Sequence, residues 1–102
     1  MATYFIDIDD TICTLAEAMK YESAQPIQRA IDKVNKLFLN GNEIVFWTAR
    51  GTQTGIDWRQ LTESQLSSWG VQYHELRFGK PVYDWFIDDK NINSLDWLDE
   101  ES

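Results

Sequence analysis

Three carboxylates crowd into four positions near the start of the chain, Asp7-Ile8-Asp9-Asp10, with Tyr4-Phe5-Ile6 before them and Thr11 after. Like charges this close repel, so the group is costly unless a cation or shared protons relieve it. A second apolar run, Trp85-Phe86-Ile87, also ends in acids, Asp88-Asp89. Between the two stand Thr48, at the end of a third apolar run, and Lys80, in a turn. Hard oxygen ligands suit magnesium, which takes few protein carboxylates and completes its shell from water and phosphate. A carboxylate also serves as a nucleophile through an acyl phosphate, and a hydroxyl and an ammonium hold phosphate oxygens as charge develops. Taken singly, each residue has a plain structural use: strand-end acids form turns or cap helices, Thr48 can simply end a strand, and Lys80 can be a surface charge. Their joint placement at successive strand ends favours phosphoryl chemistry.

Those placements depend on the elements between them. Tyr4 to Ile6 reads as a short buried strand with the acids at its C-terminal tip, the edge at which open α/β sheets bind ligands. Residues 10 to 25 show no clean period and are expected to form a loop or small flap over that edge. Pro26 stands at an expected first helical position, and Ile27, Ala30, Ile31, Val34, Leu37 and Phe38 recur at helical spacing. Asn40-Gly41-Asn42 supplies the stop. Glu43 to Thr48 is a continuous apolar strand of the parallel, buried kind, so strand, helix and strand make a right-handed crossover. A second helix is expected over Asp57 to Trp69, with Trp58, Leu61, Leu66 and Trp69 on one side, and a third strand over Val71 to Leu76. A fourth strand is expected over Trp85 to Asp89, and Ser94 is placed as the cap of a last short helix before an acidic tail. The sum is an α/β fold, a three-layer sandwich around a small parallel sheet of about four strands.

The 102 residues suit one domain spanning 1–102, and the composition, 43% hydrophobic and 14% aromatic, is that of a folded chain. A net charge of -8 disfavours nucleic acid and anionic membranes as partners. The single cysteine, Cys13, forbids an intrachain disulfide and points to a reducing compartment. With no signal-peptide pattern and no apolar stretch of membrane-span length, a cytoplasmic chain is expected. Cys13 as a phosphatase nucleophile would need an arginine six positions on, where Met19 stands instead. Lone His74 reads as a strand-end polar residue, and Trp58 and Trp69 read as core. Arg50, directly after the second strand, is a candidate phosphate contact, with a solvated loop position as the alternative.

With these residues in order, the chain resembles the haloacid dehalogenase superfamily of phosphatases. Asp7-Ile8-Asp9-Asp10-Thr11 matches the family's Asp-x-Asp-x-Thr, Ile44 to Thr48 its strand ending in threonine, Lys80 its lysine, and Phe86-Ile87-Asp88-Asp89 its acidic fourth motif. The resemblance implies a Rossmann-type core and a magnesium-dependent phosphomonoester hydrolase working through an aspartyl phosphate. Asp7 would be the nucleophile and a metal ligand. Asp9 would handle the protons, its carbonyl also binding the metal. Thr48 and Lys80 would hold the phosphoryl group, with Arg77 as the substitute cation. Asp88 would complete the metal site, and Asp89 would stand one contact behind it. The intervals between motifs leave no room for a cap domain, so the likeness is to the capless class, whose open site can be enclosed by a homo-oligomer. Residues 54–59 and 73–81 further resemble small phosphatases of capsule and lipopolysaccharide sugar biosynthesis, which implies a small sugar phosphate as substrate. The alternatives are a polynucleotide end phosphatase, which the charge disfavours, and a non-catalytic relative or receiver-type signalling domain. A receiver places its phosphoaccepting aspartate before the threonine, and no such strand-end aspartate lies between Asp10 and Thr48.

Overall fold

The computed structural model describes residues 1–15, 17 and 20–100. Three parallel strands form the sheet in the order β1-β4-β5, where β1 is Thr3–Ile6, β4 is Glu43–Trp47 and β5 is Glu75–Arg77. Phe5 pairs with Val45 and Phe46 with Leu76. Helix α1, Gln28–Leu39, returns the chain from β1 to β4, and α2, Arg59–Ser68, returns it from β4 to β5. Both steps move across the sheet in one direction, so right-handed crossovers put both helices on one face. Asn35 ties them together: its amide donates to the Gly70 carbonyl and its Oδ1 accepts from the Gln72 N–H.

The core lies between that helical layer and the sheet. Ile6, Ile44, Phe46 and Leu76 point into it from the strands, Ala30, Ile31 and Val34 from α1, and Leu66 from α2. A short helix, α3 (Ser94–Asp99), packs on α1, with Trp97 and Leu98 against the same core. Two layers therefore stand where three were expected. The opposite face of the sheet, with Phe5, Val45, Trp47 and Arg77, carries no helix among the described residues. There the Arg77 guanidinium sits 5.3 Å from the centre of the Phe5 ring, reaching across β4.

Several boundaries differ from expectation for identifiable reasons. The flap over residues 10–25 contains a two-stranded antiparallel ladder, β2 (Cys13–Thr14) with β3 (Gln25–Pro26), and a 3-10 turn at Tyr21–Ser23. Ala16 and Met19 of that stretch, and the end of the acidic tail, lie outside the described residues. Pro26 pairs with Cys13 and Ile27 donates to the Ile12 carbonyl, which keeps the chain extended until α1 starts at Gln28. At its other end α1 stops as expected: Asn42 N–H reaches Leu37 O, Gly41 N–H reaches Phe38 O, and Gly41 takes φ +88°. Asn93 rather than Ser94 caps α3, its side chain accepting from the Leu95 N–H.

The fourth strand is absent. Residues 81–93 form no strand, and Trp85 and Ile87 are 86% and 95% exposed. An apolar run followed by acids fits a buried strand tip, but a strand needs a neighbour to hydrogen-bond. The free edge of β1 is not taken by this segment within the chain.

Candidate active site

The Asp7 cluster is positioned by a tight turn off β1. Ile8 O accepts from both the Thr11 and Ile12 amides, and Asp10 N–H donates to Cys13 O. Asp10 takes φ +62°, a left-handed conformation that aspartate tolerates better than most residues, so it serves as the turn residue. Ile8 and Ile12 are driven into the core while Asp7 and Asp9 project toward the C-terminal edge of the sheet.

There Asp7 meets Lys80, whose Nζ lies 3.4 Å from Asp7 Oδ1. The Thr11 hydroxyl donates to Asp7 Oδ2 at 3.5 Å. Lys80 is held from below: its N–H donates to Thr48 O and its carbonyl accepts from the Thr52 hydroxyl. Its ammonium also stands over the Tyr83 ring. Burial pushes the Asp7 carboxyl above the ordinary carboxylate range, and the Lys80 charge and an Ile8 backbone hydrogen bond pull it back only in part. Asp7, Asp9, Tyr21, Lys80 and Tyr83 line an open cleft of about 460 Å³. A larger groove of about 530 Å³ runs between α1 and α3, away from the carboxylates. There Arg29 pairs with Asp99 and Lys33 bonds the Trp97 carbonyl, so those cations tie two helices together.

Asp9 is held differently. Arg50 grips it in a fork, Nε to Oδ2 at 3.0 Å and Nη2 to Oδ1 at 2.8 Å. The remaining nitrogen of Arg50 donates to the Thr62 hydroxyl and to Gln65 Oε1 on α2, and the guanidinium lies 4.8 Å from the centre of the Tyr21 ring. Arg50 is 2% exposed. It was expected on a substrate phosphate; it does line the cleft, and its guanidinium makes four hydrogen bonds inside the protein, two of which position Asp9. Sequence reading missed Thr62, Gln65 and Tyr21 as its partners. The available signal was two polar residues three apart on the inner side of an otherwise amphipathic helix.

Thr48, directly after β4, is fully buried, its Oγ1 accepting from the Arg50 N–H and its own N–H donating to Arg77 O. Asp88, expected as a metal ligand beside Asp7, is exposed on the 81–93 segment and accepts from the Lys90 N–H. Asp89 is exposed beside Lys90 at 3.5 Å. Among the described residues no three histidine, cysteine or acidic side chains converge as a metal site. His74 lies far from the acids, its Nδ1 accepting from the Ile44 N–H and its ring stacked on Phe38. Arg77 lies on the bare sheet face, paired with Glu75 at 2.9 Å. Cys13 is buried under Asp9, and burial pushes its thiol up to about 12, which keeps it un-ionised.

An open parallel sheet with a half-buried carboxylate at the tip of its first strand defines a Rossmann-like α/β protein with its cleft at the ligand-binding edge. The solved structure of a structural-genomics target from Vibrio cholerae is similar to this chain, at 23% identity and a TM-score of 0.89, covering 99% of this chain and 90% of that one. That likeness concerns the fold. No family model matches the chain, and no curated protein matches it. Among the described residues, no helix is long and apolar enough to cross a membrane.

Proposed function

We propose that this chain is a phosphomonoester hydrolase of the haloacid dehalogenase type, acting on a small sugar phosphate. The observation that carries the reading is the Asp7–Lys80 pair at the strand-tip cleft, with Asp9 held two residues on. Asp7 attacks phosphorus, the bond from phosphorus to the ester oxygen breaks, and that oxygen takes a proton from Asp9. Water, deprotonated by Asp9, then releases phosphate from the Asp7 acyl phosphate. Lys80, so close to Asp7, neutralises a phosphoryl oxygen as negative charge gathers there. The Thr48 hydroxyl, already accepting from Arg50 N–H, has its proton to donate to another. Proton transfer by Asp9 requires its carboxyl to release one of the two Arg50 bonds.

Magnesium would supply positive charge beside Asp7 and the phosphate. Among the described residues, Asp7 and Asp9 are the carboxylates lining the cleft, and both oxygens of Asp9 face Arg50, so these residues of one chain do not furnish the expected carboxylate set. The open cleft admits a small ester, and the charge of -8 disfavours a polynucleotide.

Purified protein should hydrolyse an aryl phosphate in the presence of magnesium, and Asp7→Asn should lower turnover by about a thousandfold or more. Retained turnover in folded Asp7→Asn would remove Asp7 as nucleophile, and full activity in excess chelator would remove the magnesium requirement. A substrate screen in which only phosphorylated nucleic-acid ends react would overturn the sugar-phosphate class.

A further inference from the structure

The segment between Lys80 and α3 is built like an arm awaiting a surface. Val82, Tyr83, Trp85, Ile87 and Ile92 are exposed on it, while Phe86, packed on the Tyr83 ring, is 37% exposed. Among the described residues its hydrogen bonds are internal: Asn91 amide to Phe86 O, Asn91 N–H to Asp88 O, Lys90 N–H to Asp88 Oδ1. Both ends are anchored, by Lys80 N–H on Thr48 O and by the α3 contacts to Arg29 and Lys33. Across the molecule, β1 has a free edge, and Phe5 stands 54% exposed on the helix-free face of the sheet.

We propose that two copies exchange these arms, each laying residues 85–88 along the partner's β1 and carrying Asp88 to the partner's Asp7. The two runs match in register. Tyr4-Phe5-Ile6-Asp7 and Trp85-Phe86-Ile87-Asp88 are each three apolar residues and an acid. Parallel pairing in step sets Phe86 beside Phe5 on the bare face and Asp88 beside Asp7 at the cleft, about 4.8 Å away in the strand-pairing direction. An arm and an edge on each copy make the contact self-complementary, as a two-fold dimer requires. The pairing would cover Trp85 and Ile87, the two apolar side chains of the arm most exposed to water, at 86% and 95%. Charge opposes the approach, since the arm delivers Asp84, Asp88 and Asp89 to an edge that already carries Asp7, Asp9 and Asp10 beside Lys80, and a cation held between Asp7 and Asp88 would relieve it. The Asp88 part rests on the phosphatase reading, whose expected metal site lacks a third carboxylate among the described residues of one chain.

The decisive experiment uses cysteines at the paired positions. Phe5→Cys protein mixed with Phe86→Cys protein, allowed to re-equilibrate and mildly oxidised, should give a covalent dimer. The wild type should sediment at twice its 12.0 kDa chain mass. Trp85→Ser with Ile87→Ser, both on exposed positions, should leave a folded monomer. A wild type that sediments as a monomer, no disulfide, or a disulfide only within one chain of the double-cysteine protein would overturn the exchange. For Asp88 the probe is Mn²⁺. The wild type should bind it, Asp88→Asn should lose it, and mixing Asp88→Asn with Asp7→Asn should restore it, because one site of each hybrid dimer then has both carboxylates. No recovery in the mixture would remove Asp88 from the partner's cleft. Neither measurement uses turnover, so an inactive wild type would end the phosphatase reading and leave the exchange standing.

Discussion

Asp7 and Asp9 sit two residues apart and live in different electrostatic settings. Asp7 is half-buried with one ammonium at 3.4 Å, and burial outweighs that ammonium in setting its proton affinity. A carboxyl raised in the folded state contributes stability below its unfolded value and loses it as pH rises through the folded value. Asp7→Asn should therefore melt higher than the wild type at pH 7, with the gap closing as pH falls below the ordinary carboxylate value. Paired melting curves at the two pH values measure this, and a gap that widens in acid would contradict it. Arg50 is the opposite case, since removing it strands Asp9, Thr62 and Gln65 around an empty charge position. Breaking a buried pair from one side costs about 3–5 kcal/mol, so Arg50→Ala should lose about that much in denaturant unfolding. Of the site, Asp7, Asp9, Thr48 and Lys80 were legible as residue types at strand ends. The Arg50 grip was not, because it joins positions 41 apart and its logic lies in who its neighbours are.

At the scale of elements, the loop after β4 decides where Arg50 points. Gly51 takes φ +82°, and a Cβ there would sit 2.1 Å from the Ile56 carbonyl oxygen. Gly41, ending α1 at φ +88°, has open space around the same position. Both substitutions carry the left-handed penalty, but only one also forces backbone apart. Gly41→Ala should cost about 1–2 kcal/mol, and Gly51→Ala about 2–4 kcal/mol. Unfolding free energies of the two variants test the ranking, and equal losses would mean the loop can open without consequence. The helices were legible because apolar residues return every three or four positions where one face is buried. The starts of α1 and α3 were not, because Pro26 is held in a ladder with Cys13 and Asn93 displaces Ser94 as the cap.

For the whole molecule, a bare sheet face, an open edge on β1 and an apolar arm leave Phe5, Trp85 and Ile87 in water among the described residues. If arms are exchanged, the melting temperature should rise with protein concentration, while the Trp85→Ser, Ile87→Ser variant should melt independently of it. Each copy carries a charge of -8, so added salt should screen the repulsion and tighten the dimer. A dimer weakened by moderate salt would point to an interface held by ion pairs rather than by the apolar run.

By itself the sequence determined the local commitments of α1, α2, β1 and β4, and that Asp7 and Asp9 follow the first strand. Periodicity and turn chemistry act over a few residues, so a short window carries them. Tertiary structure alone decided the partners. The run Trp85-Phe86-Ile87 announces that it wants apolar neighbours and a ladder, but nothing in its own spacing says whose. In one chain Phe86 meets the Tyr83 ring but the run finds no ladder, and among the described residues the sheet stops at three strands in two layers. The same holds for Arg50, whose type allows a phosphate or a carboxylate; the fold of the loop and α2 around it gave it Asp9.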